Sequence, residues 1–294
     1  MNNHAKQPSA ATQPNTSAIQ PPPFCLTVAG SDPSGGAGIQ GDLKTFCAHG
    51  AYGMAVITAL TAQNTTGVMG VVGVEPSFVV QQLEAIYADI PTRFVKTGML
   101  LNAAIIQATA AFFARIPDVD LVVDPVMISS SGARLLEDDA VQAYRTDLFP
   151  IARVITPNNL ETHHFTGIKV SSVDDAIAAS MKLLEMGARA AIVKGGDTVF
   201  QDSSDMLYDV LNDNGKIHVF ERQLVGSRNS HGTGCAFAAA LTCELAGGSS
   251  LADATSRAGE YVGAALAAAY PTGKGSGSIN HLWNNCLKKP AANR

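Results

Sequence analysis

The sequence has few charged residues and lacks any run of Lys or Arg. Charged residues make up 15% of its 294 residues, and the formal net charge is −5. Proteins that bind nucleic acid or anionic membranes usually carry basic clusters, so this composition predicts neither kind of partner. No apolar run reaches the roughly 20 residues that a membrane-spanning helix needs. We therefore expect a soluble protein with no membrane partner.

Cysteine is also scarce, and its pattern excludes two common uses. The chain has 5 cysteines, an odd number, with no Cys-x-x-Cys pair and no spacing typical of a zinc site. This favours free thiols in a reducing compartment and predicts a cytoplasmic protein. Cys25, Cys47 and Cys243 fall within strand or helix patterns. We expect these three side chains to be buried in the core.

The two ends of the chain differ in composition from the rest. Residues 1–23 are polar and rich in Pro, without the apolar segment of a secretory signal. Low hydrophobicity predicts that this extension is disordered. We expect one domain over residues 24–284, in which the segment after Gly273 is loop-like, and a short tail over 285–294.

Between these ends, short β-branched segments alternate with longer segments rich in Ala and Leu. The pattern predicts strands at 24–31, 55–60, 93–99, 119–127, 152–158 and 190–196, a hairpin over 205–225, and helices at 36–49, 76–89, 102–115, 137–148, 159–166, 173–187, 232–246 and 250–270. Such alternation predicts an α/β fold with a doubly wound, mostly parallel sheet and helices on both faces. In sheets of this kind, ligands bind at the carboxyl ends of the strands.

The first predicted strand is followed by a glycine-rich loop, 29–42. Gly35, Gly36 and Gly38 would let the backbone approach a ligand closely, although a tight connection between strand and helix would use them equally well. The loop lacks the Lys-Ser/Thr of a Walker A motif. Gly36, Gly38 and Gly41 have the G-x-G-x-x-G spacing, but this spacing alone is weak evidence for the alternative of a dinucleotide-dependent oxidoreductase.

After the second strand, Gln63 and Asn64 lie where the chain should leave the core. An amide at this position could recognise the donors and acceptors of a heterocycle. The alternative interpretation is a solvated loop over 61–67.

Two acidic residues follow neighbouring strands. Asp124 lies inside an apolar segment, and a buried carboxylate needs a partner or a cation. Glu161 follows Asn158 by three residues, which is also typical of a capping box. Two acids at adjacent strand ends suit Mg²⁺, which binds few carboxylates together with water and phosphate. Lys194, followed by two glycines, suits a phosphate contact.

The segment "NSHGTGCAFAAAL", 229–241, precedes a long apolar helix. Its residues Gly232, Thr233, Gly234 and Cys235 place four N–H groups at the helix start, an arrangement that binds anions. A thiol at a helix N-terminus has a lowered pKa, so Cys235 could act as a general base. The alternative is a glycine-rich connection with a structural cysteine. A hydrolase pair of Cys235 with His231 lacks an evident orienting Asn or Asp.

This inventory is what phosphoryl transfer requires, namely positioning and charge stabilisation. It predicts a kinase for a small molecule that carries a hydroxyl group. The adjacent His163 and His164 lack partners for a metal site and are interpreted as helix surface.

The motifs also resemble one known family. The segments "LTVAGSDPSGGAGIQGDLKTF", "GMAVITALTAQNT", "VKTGML", "VVDPVM", "ITPNNLE", "VKGGD" and "HGTGCAFAAAL" are similar to the hydroxymethylpyrimidine/phosphomethylpyrimidine kinases of thiamine biosynthesis, in the ribokinase-like superfamily. The resemblance runs from about residue 24 to 281. It implies ATP and Mg²⁺ as cofactors, a homodimer, and two successive phosphorylations that yield a monophosphate and then a diphosphate.

The resemblance implies a role for each matching residue. It implies a pyrimidine pocket formed by Gly30, Asp42, Gln63, Met99, Val126 and Cys235. It implies Mg²⁺ ligands Asp124 and Glu161 supported by Asn158, ATP-phosphate contacts from Lys194 and Thr233, and an anion hole from Gly232 to Cys235. One departure is Gly41, where the family usually has Ala.

Two related functions compete with this assignment. A pyridoxal kinase of the same branch tends to lack the Gln-Asn pair after the second strand, so "AQNT" favours the pyrimidine, with pyridoxal as a possible side substrate. A ligand-binding relative without catalysis would lose Asp124, Glu161, Lys194 or Cys235, and this chain retains all four.

Overall fold

The computed structural model describes residues 20–127, 139–196 and 205–284. The tail after 284, Cys286 and all but the last four residues of the N-terminal extension therefore lie outside the described residues, and the predictions for them stay predictions. The predicted disorder of 1–23 is among these.

Strands and helices alternate along the chain as the pattern predicts. The strands are β1 (Phe24–Ser31), β2 (Tyr52–Asn64), β3 (Gly67–Gly73), β4 (Phe94–Thr97), β5 (Asp120–Val123), β6 (Val154–Ile155), β7 (Ala190–Val193), β8 (Met206–Asp213) and β9 (Lys216–Gln223). The helices are α1 (Gly38–Ala48), α2 (Pro76–Asp89), α3 (Ala103–Phe113), α4 (Ala140–Ala143), α5 (Asn159–Thr166), α6 (Val173–Glu185), α7 (Thr233–Ala246) and α8 (Leu251–Ala267).

The strands form one sheet in the order β3-β2-β1-β4-β5-β6-β7-β8-β9. The six strands from β2 to β7 in this order are parallel, and β3, β8 and β9 pair antiparallel at the two edges. From β1 the chain proceeds first to β2 and β3 on one side, then returns to β4 on the other. The carboxyl ends of β1 and β4 therefore form the switch point where such sheets bind ligands.

Helices cover both faces of the sheet. In β5, Leu121 and Val123 belong to the core cluster that contains α2, α3 and α6, whereas Val122 belongs to the cluster that contains α7 and α8. This alternation follows from the two-residue period of a strand. The doubly wound, mostly parallel fold in a single domain is confirmed.

Local signals explain several element boundaries. α2 begins with Pro76 and α5 begins with a complete capping box between Asn158 and Glu161. α5 ends at Gly167, whose φ of 75° suits glycine. β1, α2 and α5 have the predicted bounds.

Other boundaries differ from the prediction. The solvated loop over 61–67 is wrong, because β2 continues to Asn64 and turns into β3. The described part of the helix predicted at 137–148 is α-helical only over α4, and continues as a π-helical turn over Tyr144–Leu148 and a 3₁₀ turn over Phe149–Ile151. The strands β4 to β7 are shorter than predicted, because pairing stops where the chain turns toward the site.

The described cysteines divide between core and surface. Cys25 and Cys243 are buried as predicted, with their sulfur atoms 4.0 Å apart, but Cys47 is exposed on α1. The prediction for Cys47 is therefore wrong, because the helical pattern places this residue on the solvent face. Within the described ranges, no helix is both long enough and apolar enough to cross a membrane.

Candidate active site

A cavity of about 420 Å³ opens at the carboxyl ends of the parallel strands. It brings together residues that are up to about two hundred positions apart in the sequence. Of the residues singled out from the sequence, the lining includes Gly30, Gln63, Met99, Asp124, Val126, Asn158, Glu161, Lys194, Gly232, Thr233, Gly234 and Cys235. The strand-end rule thus locates this cavity from sequence.

Asp124 follows β5 and is buried against Lys194. Its Oδ1 accepts a hydrogen bond from Lys194 Nζ at 2.9 Å and another from Thr156 Oγ1 at 3.1 Å. The expectation that this carboxylate is paired is confirmed. Burial opposes the charged form of Lys194, but Asp124 and Glu161 more than offset burial and raise the pKa of this ammonium.

Glu161 has two roles at the start of α5. Its Oε2 accepts a hydrogen bond from the N–H of Asn158 at 2.9 Å, and Asn158 Oδ1 accepts one from the N–H of Glu161 at 2.9 Å. The capping box and the cavity position are therefore both present. Burial, with a further contribution from Asp124, raises the pKa of Glu161 to about 7, although Lys194 opposes this increase.

These two carboxylates fit a magnesium ion. Both line the same cavity and both are nearly buried, and Mg²⁺ typically binds one or two carboxylates together with water and phosphate oxygens. Burial opposes the charged form of Glu161, and a bound cation would offset that cost. Among the described residues no cluster of three or more His, Cys, Asp or Glu side chains could hold a metal, so water and phosphate oxygens would have to supply the remaining ligands.

The N-terminus of α7 points its first amides toward the cavity region. The first intrahelical bond runs from the N–H of Ala236 to the carbonyl of Gly232 at 2.9 Å, so the N–H groups of Gly234 and Cys235 have no carbonyl four residues before them in the helix. The N–H of Thr233 contacts the carbonyl of Ser230 at 3.3 Å. The expected set of four amides is therefore reduced, because Thr233 is already engaged.

The glycines of this segment are required by a close approach. Gly232 has φ of 89°, and a Cβ there would collide with the carbonyl oxygen of Gly36 in the glycine-rich loop. A Cβ on Gly36 would in turn collide with the ring of His231. The two loops can meet at the cavity only because these positions lack side chains.

Cys235 lines the cavity, but its protonation state differs from the prediction. Burial raises the pKa of this thiol to about 11, although Lys96 and the N–H of Gly38 act in the opposite direction. The prediction of a lowered pKa is wrong for this structure, because the desolvation of the thiolate outweighs the helix N-terminus. At neutral pH the thiol is protonated in the unliganded protein.

Asp42 does not line the cavity, contrary to its predicted position in the substrate pocket. Its carboxylate is fully buried and accepts hydrogen bonds from Lys96 Nζ at 2.8 Å and Thr27 Oγ1 at 2.6 Å. Lys96, which sequence reasoning did not select, does line the cavity. Burial lowers the pKa of Lys96, but the charge of Asp42 more than offsets it, so Lys96 is held as an ammonium. Asp42 thus contacts the cavity through Lys96.

Gln63 and Asn64 have different surroundings at the end of β2. Gln63 lines the cavity and contacts His231 and Thr61. Asn64 accepts hydrogen bonds from the N–H and hydroxyl of Thr66, and so stabilises the turn to β3. Of the two amides considered, only Gln63 lies where it could contact a ligand in this cavity.

A second pair missed by sequence reasoning joins Asp32 to His231. His231 Nε2 lies 2.8 Å from Asp32 Oδ2, and both residues line the cavity. The orienting carboxylate that seemed missing for His231 is therefore Asp32, which lies 199 positions earlier in the chain. Its position directly after β1 was the signal available in the sequence. His163 and His164 are exposed on α5, as predicted.

Several known proteins are similar to this chain in sequence. Residues 32–280 match the family model described as phosphomethylpyrimidine kinase. A hydroxymethylpyrimidine/phosphomethylpyrimidine kinase of Streptomyces coelicolor is 42% identical over 262 residues, which cover 89% of this chain and 95% of that protein. A thiamine biosynthesis bifunctional protein of Geobacter sulfurreducens is 46% identical over 257 residues, which cover 87% of this chain. The matched region makes up 52%, about half, of that relative's length.

Among solved structures, the chain is similar to the pyridoxal kinase from Staphylococcus aureus in complex with AMP-PCP and pyridoxal. The TM-score is 0.81 at 32% sequence identity, and the match covers 91% of this chain and 96% of that one. The ribokinase-like fold expected from the motifs is therefore confirmed.

Proposed function

The chain belongs to the phosphomethylpyrimidine kinase family, and we propose that it transfers phosphoryl groups from ATP to a hydroxymethylpyrimidine. The substrate is 4-amino-5-hydroxymethyl-2-methylpyrimidine, which is phosphorylated on its hydroxymethyl group and then again on the resulting monophosphate. The relative from Streptomyces coelicolor is named for this activity. The two steps belong to thiamine biosynthesis.

One observation carries this proposal: a single cavity joins phosphate-binding groups to a heterocycle pocket. Asp124, Glu161 and Lys194 line it together with the N-terminus of α7, and Gln63, Met99 and Val126 line it as well. A ligand with a flat ring and a hydroxymethyl arm would span these two parts. Phosphoryl transfer needs little more from a protein than such positioning and charge stabilisation.

The residues around Asp124 would hold the transferred phosphate. Lys194 and the first N–H groups of α7, those of Gly234 and Cys235, would supply positive charge and hydrogen-bond donors, and Asp124 with Glu161 would bind Mg²⁺. Bound Mg²⁺ would neutralise charge on the phosphate oxygens. Lys194 and Asp124 pair with each other in the unliganded protein, which keeps both charges in place before the nucleotide binds.

The hydroxyl group of the substrate loses its proton during the transfer. The substrate oxygen forms a bond to the γ-phosphorus as the bond to the β–γ bridging oxygen breaks, and the hydroxyl proton must leave. Cys235 lies at the anion hole and would accept it through its minor thiolate form, which Lys96 favours and burial disfavours. In a loose transition state the proton leaves late, so a strong base is not required.

Pyridoxal is the second candidate substrate. The structural neighbour from Staphylococcus aureus binds pyridoxal, and its fold superposes closely on this one. Gln63 favours the pyrimidine, because its amide can pair with an amino group beside a ring nitrogen, and pyridoxal lacks that pair of atoms. We therefore place pyridoxal as a side substrate.

We also propose that the protein is a homodimer. β3 is one edge of the sheet described here and has no neighbour on its outer side. Met69, Val72, Leu60 and Phe78 are all more than half exposed in this region. An apolar edge strand of this kind is a site for association with a second copy. Sedimentation should give a dimer that Val72→Glu converts to a monomer.

The remaining partners and the location follow from composition. With a net charge of −5 and no basic cluster, we propose that the protein does not bind nucleic acid. The odd number of cysteines supports a reducing, cytoplasmic location.

The deciding experiment measures ATP consumption with hydroxymethylpyrimidine, its monophosphate and pyridoxal side by side. The proposal expects the highest kcat/KM for the pyrimidines, with a dependence on Mg²⁺. Asp124→Asn is the matched control and should lose activity toward all three. Turnover of pyridoxal alone would transfer the assignment to the second candidate.

A further inference from the structure

The Asp32 side chain accepts several hydrogen bonds within the glycine-rich loop. Its carboxylate oxygens accept from the N–H groups of Ser34 at 2.9 Å, Gly36 at 3.2 Å and Ala37 at 2.9 Å, and from the Ser34 hydroxyl at 2.7 Å. Burial would raise the pKa of Asp32, but these bonds and the contact with His231 outweigh it and lower the pKa to about 2. The residue is therefore a carboxylate, and a carboxylate only accepts hydrogen bonds.

This fixes the proton on His231. Its Nε2 lies 2.8 Å from the Asp32 carboxylate, so Nε2 must carry hydrogen in the neutral ring and in the imidazolium alike. The same Nε2 lies 3.4 Å from the side-chain amide of Gln63, with the amide nitrogen assigned to that side. Nε2 carries one hydrogen, which Asp32 accepts, so this nitrogen cannot accept a hydrogen bond from the amide NH₂ group beside it. Turning the amide by half a turn places Gln63 Oε1 beside the N–H instead, where the amide oxygen shares this hydrogen with Asp32.

The other end of the amide gives the same answer independently. Thr61 Oγ1 donates its one hydrogen to the carbonyl of Ser31 at 2.9 Å. Toward Gln63, 3.3 Å away, this oxygen can therefore only accept. The Thr61 oxygen therefore needs the NH₂ group of Gln63 beside it. The contacts at Thr61 and at His231 thus require the same orientation of the Gln63 amide.

We propose that His231, held by Asp32, is a positioning residue that fixes the Gln63 amide with its oxygen toward His231 and its nitrogen toward Thr61, and thereby selects the ring that the site accepts. This rests on the proposed function, since it concerns how the same cavity chooses between two rings. One N–H and one carbonyl lone pair of Gln63 remain for the ligand, in a fixed order.

The fixed order matches an aminopyrimidine better than a pyridoxal ring. Beside the hydroxymethyl carbon, the pyrimidine carries an amino group next to a ring nitrogen, which offers a donor and an acceptor to the amide. At the amino position, pyridoxal carries an aldehyde, whose oxygen would face the amide oxygen. An amide free to turn could accept either ring. An amide held by His231 and Thr61 favours the amino group.

The test compares kcat/KM for hydroxymethylpyrimidine with kcat/KM for pyridoxal in variants at both ends of the amide. His231→Phe removes the donor, and the ratio should fall about tenfold, the size of one neutral hydrogen bond, mainly through KM for the pyrimidine. His231→Gln keeps an N–H and should restore most of the ratio. Thr61→Val should lower the ratio similarly, and Thr61→Ser should retain it.

The matched control is Thr66→Ala, which removes a hydrogen bond in the adjacent turn without touching Gln63 and should leave the ratio unchanged. Wild-type turnover of hydroxymethylpyrimidine tests the proposed function alone. If the wild type prefers the pyrimidine but His231→Phe and Thr61→Val reduce both substrates equally, the positioning role is overturned. Should His231→Phe not fold, the Thr61 pair decides the question.

Discussion

The ammonium of Lys194 lies 2.9 Å from Oδ1 of Asp124. A residue expected to hold ATP phosphate and a residue expected to hold Mg²⁺ are therefore each other's partner in the unliganded protein. Both are nearly buried, so neither charge could remain there alone without a large desolvation cost. The ion pair keeps both side chains charged until, as proposed, Lys194 binds nucleotide phosphate and Asp124 binds the metal.

This pairing predicts how Lys194→Met responds to magnesium. Without the ammonium, Asp124 is a buried carboxylate with no cation, and the free energy of unfolding should fall by about 3 kcal/mol. Millimolar Mg²⁺ without ATP should recover much of this loss, because the ion replaces the missing charge. Urea denaturation with and without Mg²⁺ measures both effects. Lys216→Met, on the exposed start of β9, is the control and should respond to neither.

Glu161 predicts a pH-dependent stability. Its pKa is about 7 in the folded protein against an ordinary 4.5, so the unfolded chain releases this proton first. Stability is therefore lost as the pH rises from about 4.5 through 7, by about 3 kcal/mol in total. Glu161→Gln keeps the capping box and has no proton to lose. It should match the wild type at pH 4 and exceed it at pH 8, and a difference that does not change with pH would contradict the assigned pKa.

The buried pair of Lys96 and Asp42 predicts an asymmetric double-mutant cycle. Lys96→Met leaves the Asp42 carboxylate without its cation and should cost about 3 to 5 kcal/mol of stability. Combining it with Asp42→Asn removes the unpaired charge and keeps an acceptor for Thr27, so the double variant should be more stable than the single one. Chemical denaturation of the wild type, Lys96→Met, Asp42→Asn and the double variant gives the coupling energy. Additive losses would show that the pair contributes nothing as a pair.

The raised pKa of Cys235 predicts slow alkylation. With a pKa of about 11, the thiolate fraction and the rate with iodoacetamide should rise about tenfold for each pH unit between 7 and 9. Lys96→Met removes a charge that favours the thiolate and should slow the reaction further. Peptide mapping by mass spectrometry separates Cys235 from the exposed Cys47, which reacts as the internal reference. A rate that levels off below pH 8 would show that the pKa of Cys235 is lowered, as the sequence predicted.

The sequence predicted the fold well where the signals are local. The glycine-rich loop, the apolar segment around Asp124 and the capping box at Asn158 each fit within a few residues of chain, and each lies where the pattern placed it. β3 was missed because three of its seven residues are glycine and its remaining residues show no alternation.

The parts that could not be predicted depend on contacts between distant segments. The bond from His231 to Asp32 joins positions 199 apart, and the Lys96–Asp42 pair joins positions 54 apart. No local pattern encodes either distance. The prediction of a lowered pKa for Cys235 was wrong for the same reason. The helix start is visible in the sequence, but the burial that raises the pKa is not.

Helix α7 has a consequence for how the site meets its ligand. Eight consecutive residues, 236–243, are buried, so the helix is enclosed on every side rather than resting on the sheet with one face. An enclosed helix has no room to rotate or slide when a phosphate arrives. The direction of its first amides is thus set when the chain folds, and adaptation to one phosphate or two must come from the loops that face them.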